Sequence, residues 1–332
     1  MPNNMQVLLA SRPAGWVEES NFDIVETPIP KPGPGEVLVK NHWLSLDPYM
    51  RGRMNDVKSY TPPVKIGEVM VGGTVGEVLE SNHPKYKAGD FVVGRVGWQL
   101  YGVSDAESLM KVDPNLIPLS AYLGVAGMPG GTAWIGLLEH CQPKAGETVV
   151  VSAASGAVGS VVGQLAKLQG CRAVGIAGGA QKCSYAVKEL GFDACVDYKA
   201  GKLHEDLKAA APEGIDCYFE NVGGEIMDTV FRQLNPFSRV ALCGLISDYN
   251  ATEPYGTKMI RALLVNRVKL QGFIVFDRPD LYARAVPQLA KWVAQGKLKY
   301  HETVAQGLQS APKAFIGMLK GANLGKQLVK LT

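Results

Sequence analysis

The chain has 332 residues, a length that favours two domains over a single hydrophobic core. Hydrophobic residues make up 46% of it and charged residues 20%, which is an ordinary balance for a globular protein. The formal net charge of +3 and the lack of any Lys/Arg-rich run exclude nucleic acid as an expected partner.

Residues 1–20 carry no basic segment followed by an apolar run, so we expect no secretory signal. No stretch approaches the roughly 18 apolar residues that span a bilayer, and we expect no membrane association. The cysteines are scattered without a C-x-x-C pair, which indicates reduced core thiols and no structural zinc site. Together these features predict a cytoplasmic protein.

The first region, to about Val125, is rich in Pro and Gly and contains short runs of alternating apolar residues. The segments 36–40 (EVLVK) and 73–79 (GTVGEVL) are examples. Period-two alternation interrupted by turn residues predicts short strands of a barrel or a partly open sheet.

From Lys144 onward, strand and helix patterns alternate. An apolar strand at 147–152 leads into a helix at about 157–169. The further strand candidates are 173–177, 195–198, 215–220, 239–243 and 270–275. This alternation predicts an α/β fold with a doubly wound parallel sheet. The tail beyond about Lys297 has mixed structure and is expected to rejoin the first region.

The turn after the first of these strands matches a dinucleotide-binding fingerprint. Gly156 and Gly159 stand at the second and third glycine positions of G-x-G-x-x-G, and Ala154 replaces the first glycine. Gly156 lets backbone approach a pyrophosphate, and Gly159 permits close packing of helix on strand. The amides of Ala157 and Val158 complete a helix start that is predicted to bind phosphate. The alternative is a glycine-rich turn without a ligand.

The end of the second strand distinguishes NADP from NAD. An acidic residue there would bind the ribose 2′-hydroxyl and repel a 2′-phosphate. Residues 176–182 read IAGGAQK, with no carboxylate and with Lys182 at the end. The missing acid and the nearby lysine favour NADPH, although Lys182 taken alone is also explained as a solvated helix lysine.

A dehydrogenase must stabilise the negative charge that develops on the substrate oxygen. The histidines are far apart in sequence and none lies in a ligand motif such as H-E-x-x-H, so we expect no metal in this role. A hydroxyl donor remains. Tyr249 follows a sheet strand on the edge where ligands bind, and Tyr49 lies in the first region. Either tyrosine is a candidate catalytic residue, or else an aromatic filler whose hydroxyl is tied to backbone.

Seven blocks of sequence are more specific than the glycine turn. They are 44–51 (LSLDPYMR), 127–133 (GMPGGTA), 153–159 (AASGAVG), 217–224 (CYFENVGG), 243–250 (CGLISDYN), 272–275 (GFIV) and 321–326 (GANLGK). In this order they resemble the zinc-free branch of the medium-chain dehydrogenase/reductase superfamily. That branch includes leukotriene B4 12-hydroxydehydrogenase, also called 15-oxoprostaglandin 13-reductase, and the 2-alkenal reductases. The likeness covers nearly the whole chain.

The resemblance implies a Rossmann domain at 126–297 and a GroES-like β-barrel domain formed by 1–125 with 298–332, usually in a homodimer. It places Tyr249 beside the nicotinamide and the substrate carbonyl, and Tyr49 in the substrate pocket. It also implies a set of cofactor-binding residues. Lys182 and Tyr198 would contact the adenosine 2′-phosphate, and the nicotinamide, riboses and other phosphates would be held by Gly156, Ala157, Val158, Gly159, Asn221, Cys243, Gly244, Phe273, Ile274, Val275 and Asn323.

The chain departs from its relatives at two places. Gly131 stands where many of them carry leucine, and the loop at 251–257 is short compared with that of the mammalian prostaglandin enzymes. That loop borders the substrate pocket in the family, so prostaglandin specificity is not carried over. The sequence therefore predicts an NADPH-dependent reductase of the C=C bond in α,β-unsaturated aldehydes or ketones. The alternatives are an NADPH quinone oxidoreductase and a non-catalytic NADPH-binding protein.

Overall fold

A computed structural model describes residues 3–332. The strands are β1 (Asn3–Leu9), β2 (Phe22–Pro28), β3 (Val37–Ser45), β4 (Thr74–Ser81), β5 (Phe91–Gly94), β6 (Tyr101–Ser104), β7 (Met110–Lys111), β8 (Thr148–Ser152), β9 (Arg172–Ala177), β10 (Ala194–Asp197), β11 (Ile215–Glu220), β12 (Leu234–Leu242), β13 (Lys269–Gly272), β14 (Glu302–Gln306) and β15 (Lys326–Lys330). The α-helices are α1 (Tyr49–Arg53), α2 (Met128–Trp134), α3 (Gly159–Leu168), α4 (Ala180–Lys188), α5 (Leu203–Ala210), α6 (Gly224–Phe231), α7 (Ile260–Val265), α8 (Pro279–Ala294) and α9 (Ala311–Leu319).

The chain divides into two units. The β-rich unit runs to Leu123 and resumes at Glu302–Thr332, and the parallel-sheet unit is Gly124–His301. Within residues 3–332, no helix combines the length and the apolar character that crossing a membrane requires.

The β-rich unit contains a sheet of order β14-β15-β3-β4-β5-β7, with β6 also paired to β3, and a separate β1-β2 pair. The last strand, β15, runs antiparallel to β3, with Val329 opposite Leu44. Its core packs the fully buried Trp98 between Phe22, stacked at 5.5 Å between ring centroids, and Phe315, edge-on at 5.6 Å. The C-terminal segment is therefore an integral part of this unit.

The parallel-sheet unit has the strand order β10-β9-β8-β11-β12-β13, and every neighbouring pair is parallel. Numbered within the unit, this is the 3-2-1-4-5-6 order of a dinucleotide-binding fold. All residues of β8 are buried because helices cover both faces of a doubly wound sheet. The predicted α/β class, with a parallel Rossmann-type sheet and a β-rich N-terminal domain, is confirmed.

Two element boundaries differ from the sequence expectation. Helix α3 begins at Gly159 rather than near residue 157, because the preceding residues form the turn that leaves β8. Strand β13 ends at Gly272 rather than at residue 275, since its partner β12 ends at Leu242, which pairs with Gly272. Val275 instead begins a short 3-10 turn.

The glycine at position 131 has a packing reason. A side chain there would lie 2.6 Å from the ring of Tyr282. Tyr282, on α8, therefore takes the space that a leucine on α2 would fill. A glycine at this position therefore lets α2 pack closely against α8.

Candidate dinucleotide-binding active site

In the turn between β8 and α3, the backbone of Gly156 and Gly159 lies close to the Ala153 carbonyl. Ala153 has a positive φ of 51°, and its carbonyl accepts a hydrogen bond from the Gly156 amide at 2.9 Å. A side chain at Gly159 would collide with the same carbonyl, while one at Gly156 would approach it to 3.1 Å. At both positions, therefore, the absence of a side chain lets the chain pass close to this carbonyl. The start of α3 lies at the carboxyl end of β8, where the oriented amides of a helix N-terminus suit a pyrophosphate.

A basic corner lies where β9 and β10 end. A side chain at Gly178 would lie 2.9 Å from the Tyr198 hydroxyl and 3.0 Å from the Lys199 side chain, so the glycine leaves room for both. Burial lowers the pKa of Lys182, and the charge of Lys199 lowers it further. Two like charges held near each other favour a bound anion. The structure brings together the predicted residues Lys182 and Tyr198, and it adds Lys199 to them. The only feature of the sequence that pointed to Lys199 was its position next to Tyr198.

A buried acid supports the ends of β8 and β11. The Glu220 carboxylate is 0% exposed and accepts hydrogen bonds from the Ser152 hydroxyl at 2.6 Å and the Tyr218 hydroxyl and Val222 amide at 2.5 Å. Burial raises the pKa of Glu220, and these hydrogen bonds only partly oppose the rise. The predicted residue Asn221 is fixed beside it, donating from Nδ2 to the Ser152 carbonyl at 2.9 Å. Glu220 is not among the residues predicted from the sequence, although an acid inside an apolar strand is a visible signal.

Tyr249 folds back onto the turn after β12. The amides of Cys243 and Gly244 donate to the Glu220 carbonyl at 2.9 and 3.1 Å. The Leu245 amide donates to the Tyr249 hydroxyl at 3.4 Å. This contact uses an acceptor position of the phenol and not its proton. Both interpretations of Tyr249 have support. Its hydroxyl contacts backbone, as expected for an aromatic filler, and it lies at the carboxyl edge of the sheet, where a catalytic residue would meet a ligand.

Phe273, Ile274 and Val275 follow β13 at the same edge of the sheet. The Phe273 ring packs edge-on against Phe219 at 6.1 Å between centroids and lies 5.0 Å from the His140 ring. Val275 is 7% exposed and belongs to an apolar cluster. The backbone of this segment is therefore anchored through buried side chains.

Tyr49 and Asn323 belong to the β-rich unit, whereas the other predicted site residues belong to the parallel-sheet unit. Tyr49 opens α1, and burial, followed by the charge of Asp47, raises the pKa of its hydroxyl. A phenol with a raised pKa stays protonated and can donate a hydrogen bond. Asp47 pairs with the buried Lys326 at 3.0 Å. Asn323 donates from Nδ2 to the Gly325 carbonyl at 2.8 Å.

The strand order, the glycine turn and the basic corner define a Rossmann-type dinucleotide-binding protein with an additional β-rich unit. Within the described residues, no group of three or more His, Cys, Asp or Glu side chains could hold a metal ion. Family models match both parts of the chain. Residues 5–112 match the N-terminal domain of oxidoreductase, and residues 157–293 match the zinc-binding dehydrogenase family.

Individual relatives match over almost the full length. The chain is 49% identical to the NADPH-dependent curcumin reductase of Escherichia coli, covering 99% of this chain and 97% of the relative. It is 42% identical to the NADP(+)-dependent 2-alkenal reductase of Nicotiana tabacum, covering 99% and 98%. The crystal structure of CurA from Vibrio vulnificus in complex with NADPH superimposes with a TM-score of 0.94, at 50% identity and 99% coverage of both chains. The chain belongs to the medium-chain dehydrogenase/reductase superfamily, in the zinc-free branch that contains these reductases. The resemblance stated from the sequence is confirmed.

Proposed function

We propose that the protein is an NADPH-dependent reductase of the C=C bond of α,β-unsaturated aldehydes and ketones. The observation that carries the proposal is a phenol hydroxyl, that of Tyr249, at the same sheet edge as the glycine turn and the basic corner. The names of the curcumin and 2-alkenal reductases describe NADPH-dependent reductions, which supports the same chemistry here.

The cofactor residues fit an NADP-type dinucleotide. The glycine turn leaves space for a pyrophosphate at the start of α3, and Lys182, Tyr198 and Lys199 would hold the adenosine 2′-phosphate. Asn221 and the turn at 243–244 would hold a ribose, and residues 273–275 would border the nicotinamide. Asn323, in the β-rich unit, is proposed as a further ribose or phosphate contact.

The bound cofactor would supply a hydride to the β-carbon of the substrate, and a proton would then add to the α-carbon to give the saturated product. The Tyr249 hydroxyl would donate a hydrogen bond to the carbonyl oxygen, where negative charge develops as the β-carbon is reduced. Such stabilisation is strongest where the donor is already oriented, and the backbone contact of Tyr249 provides that orientation. Tyr49 would line the substrate pocket with a protonated hydroxyl, and the β-rich unit would act as the GroES-like substrate domain.

The test is an NADPH oxidation assay with three acceptor series: alkenals, enones and quinones. The proposal expects the highest kcat/KM with alkenals or enones and a saturated aldehyde or ketone as product. A preference for quinones would replace it with a quinone oxidoreductase. Tight NADPH binding without oxidation by any acceptor would replace it with a non-catalytic NADPH-binding protein.

We further infer a homodimer and a cytoplasmic location. Strand β13 is exposed along its whole length at the edge of the parallel sheet, and an unpaired edge is a template for a second copy. The neighbouring helix α7 exposes Ile260 by 60% and Leu264 by 78%. All the cysteines are free thiols, which suits a reducing compartment.

A further inference from the structure

Two cysteines of the parallel-sheet unit face each other across a helix and a strand. The Sγ atom of Cys183, on α4, lies 3.0 Å from the Sγ atom of Cys195, on β10. A disulfide bond is about 2.05 Å long, so a movement of about 1 Å would join them.

The fold builds a place for this pair. Gly175 lies opposite Cys195 in the β9–β10 ladder, and a side chain there would come within 3.2 Å of the Cys195 sulfur. The missing side chain leaves the room that the thiol occupies. Cys195 is partly exposed and Cys183 keeps 9% exposure, so the pair lies near the surface of the unit.

The two sulfurs are chemically unequal. Cys195 donates its S–H to the Cys183 sulfur. This hydrogen bond lowers the pKa of the Cys183 thiol, while the same contact, together with burial, raises the pKa of the Cys195 thiol. Cys183 is therefore the more acidic thiol of the pair, and the thiolate is the reactive form of cysteine.

A second pair of neighbouring cysteines, Cys141 and Cys217, serves as a comparison within the same protein. Cys217 donates from its sulfur to the Cys141 carbonyl at 3.6 Å, and both residues are 0% exposed. The contact with Cys141, followed by burial, raises the pKa of the Cys217 thiol. Because both residues are fully buried, a reagent has no access to this pair, and it should be inert.

We propose that Cys183 and Cys195 form an oxidisable dithiol that organic hydroperoxides convert to an intramolecular disulfide. The Cys183 thiol gives up its proton, and its sulfur attacks one oxygen of the O–O bond. That bond breaks, the departing alkoxide takes up the proton and leaves as an alcohol, and a sulfenic acid remains on Cys183. The Cys195 sulfur then attacks the Cys183 sulfur. The S–S bond forms, and the sulfenic oxygen leaves as water with the Cys195 proton. One hydroperoxide is thus reduced as two thiols are oxidised.

The disulfide would act on the basic corner. Cys183 immediately follows Lys182, and Cys195 precedes Tyr198 by three residues. Drawing α4 toward β10 would shift the two side chains relative to each other. This consequence rests on the proposed role of the corner in binding NADPH. Loss of one charge-assisted contact would raise the KM for NADPH about tenfold.

The test treats the reduced full-length protein with tert-butyl hydroperoxide, alkylates the remaining thiols and maps the peptides by mass spectrometry. We expect one Cys183–Cys195 crosslink that dithiothreitol reverses, with Cys141 and Cys217 still reduced. Full alkylation of Cys183 and Cys195 after oxidation, or an equal yield of another pair, would overturn the proposal.

Variants separate the dithiol from nonspecific oxidation. In Cys195→Ser, whose hydroxyl can still donate to the Cys183 sulfur but cannot form a disulfide, Cys183 should stop at the sulfenic acid, trapped by dimedone. Cys171→Ala, at a 2% exposed cysteine elsewhere, should still form the crosslink. If a variant fails to fold, the wild-type peptide map decides alone.

A kinetic measurement compares the KM for NADPH of the protein before and after its oxidation with tert-butyl hydroperoxide. A crosslink with an unchanged KM would overturn the link to the basic corner. Absence of NADPH oxidation in the reduced protein would instead refute the proposed function, and the peptide map would still decide the dithiol.

Discussion

At the scale of single residues, the proposed chemistry depends on one hydroxyl. The Leu245 amide holds the Tyr249 phenol in place at the edge of the sheet. We expect Tyr249→Phe to lower kcat with an enone by about 10²-fold or more, because one oriented donor to a developing oxyanion is lost. The Kd for NADPH, measured by fluorescence, should stay close to that of the wild type.

Tyr122→Phe is the matched control for this substitution. Its hydroxyl donates to the Asp113 carbonyl at 3.0 Å, and neither residue belongs to the proposed site. It should leave kcat unchanged. An unchanged kcat in Tyr249→Phe with several enones would remove that hydroxyl from the reaction.

Also at the scale of single residues, a substitution of Lys182 tests the preference for NADPH over NADH. Lys182→Ala should raise the KM for NADPH roughly 10- to 100-fold and leave the KM for NADH unaltered, since a charge-assisted contact with the 2′-phosphate is lost. Steady-state kinetics with both cofactors measures this. Lys188→Ala, on the last turn of α4, removes a lysine from the same helix and should change neither value. Equal losses for NADPH and NADH would show that Lys182 does not read the 2′-phosphate.

At the scale of elements, Asp228 on α6 binds the end of the short loop at 251–257 that follows Tyr249. Its carboxylate accepts hydrogen bonds from the Thr257 hydroxyl at 2.6 Å, the Tyr255 hydroxyl at 2.8 Å, and backbone amides of residues 258 and 259. Burial acts to raise the pKa of Asp228, but the hydrogen bonds outweigh it and hold the pKa below its ordinary 3.8. Because the folded-state pKa is lowered, this stabilisation is present above the ordinary pKa and is lost as the pH falls through the folded value.

Asp228→Asn should therefore lower the free energy of unfolding by about 1.5–3 kcal/mol at neutral pH. The difference from the wild type should shrink in acid, where the wild-type carboxylate is also uncharged. Urea unfolding at both pH values measures it. Asp23→Asn, at an exposed acid on β2, should be neutral at either pH. A loss of equal size at both pH values would mean that the charge of Asp228 does not hold the loop.

Elements also mark the limit of prediction from sequence. The parallel sheet was predictable because runs such as 149–151 are continuously apolar and each is followed by a helical period. The start of α3 was not, since it depends on a left-handed Ala153, a conformation that alanine rarely adopts. Lys199 and Glu220 each had a signal in the sequence, but their contacts could not be foreseen. They depend on which strand ends become neighbours in the sheet, and that is a property of the tertiary fold.

At the scale of the whole molecule, the exposed β13 edge and helix α7 carry the inferred homodimer. We expect the wild type to elute from a sizing column with light-scattering detection at twice the chain mass. Ile260→Glu combined with Leu264→Glu should give a monomer, because charges would be buried without partners. Val57→Glu, at a side chain 61% exposed in the β-rich unit, should remain dimeric. A monomeric wild type at micromolar concentration would contradict the inference.

The central claim is hydride delivery to the β-carbon of an unsaturated carbonyl, and isotope transfer tests it most directly. The protein is incubated with an enone and NADPH carrying deuterium at the transferable position of the nicotinamide, and the product is analysed by NMR. The account predicts a saturated ketone with deuterium on the β-carbon. An allylic alcohol with deuterium on the former carbonyl carbon would contradict it.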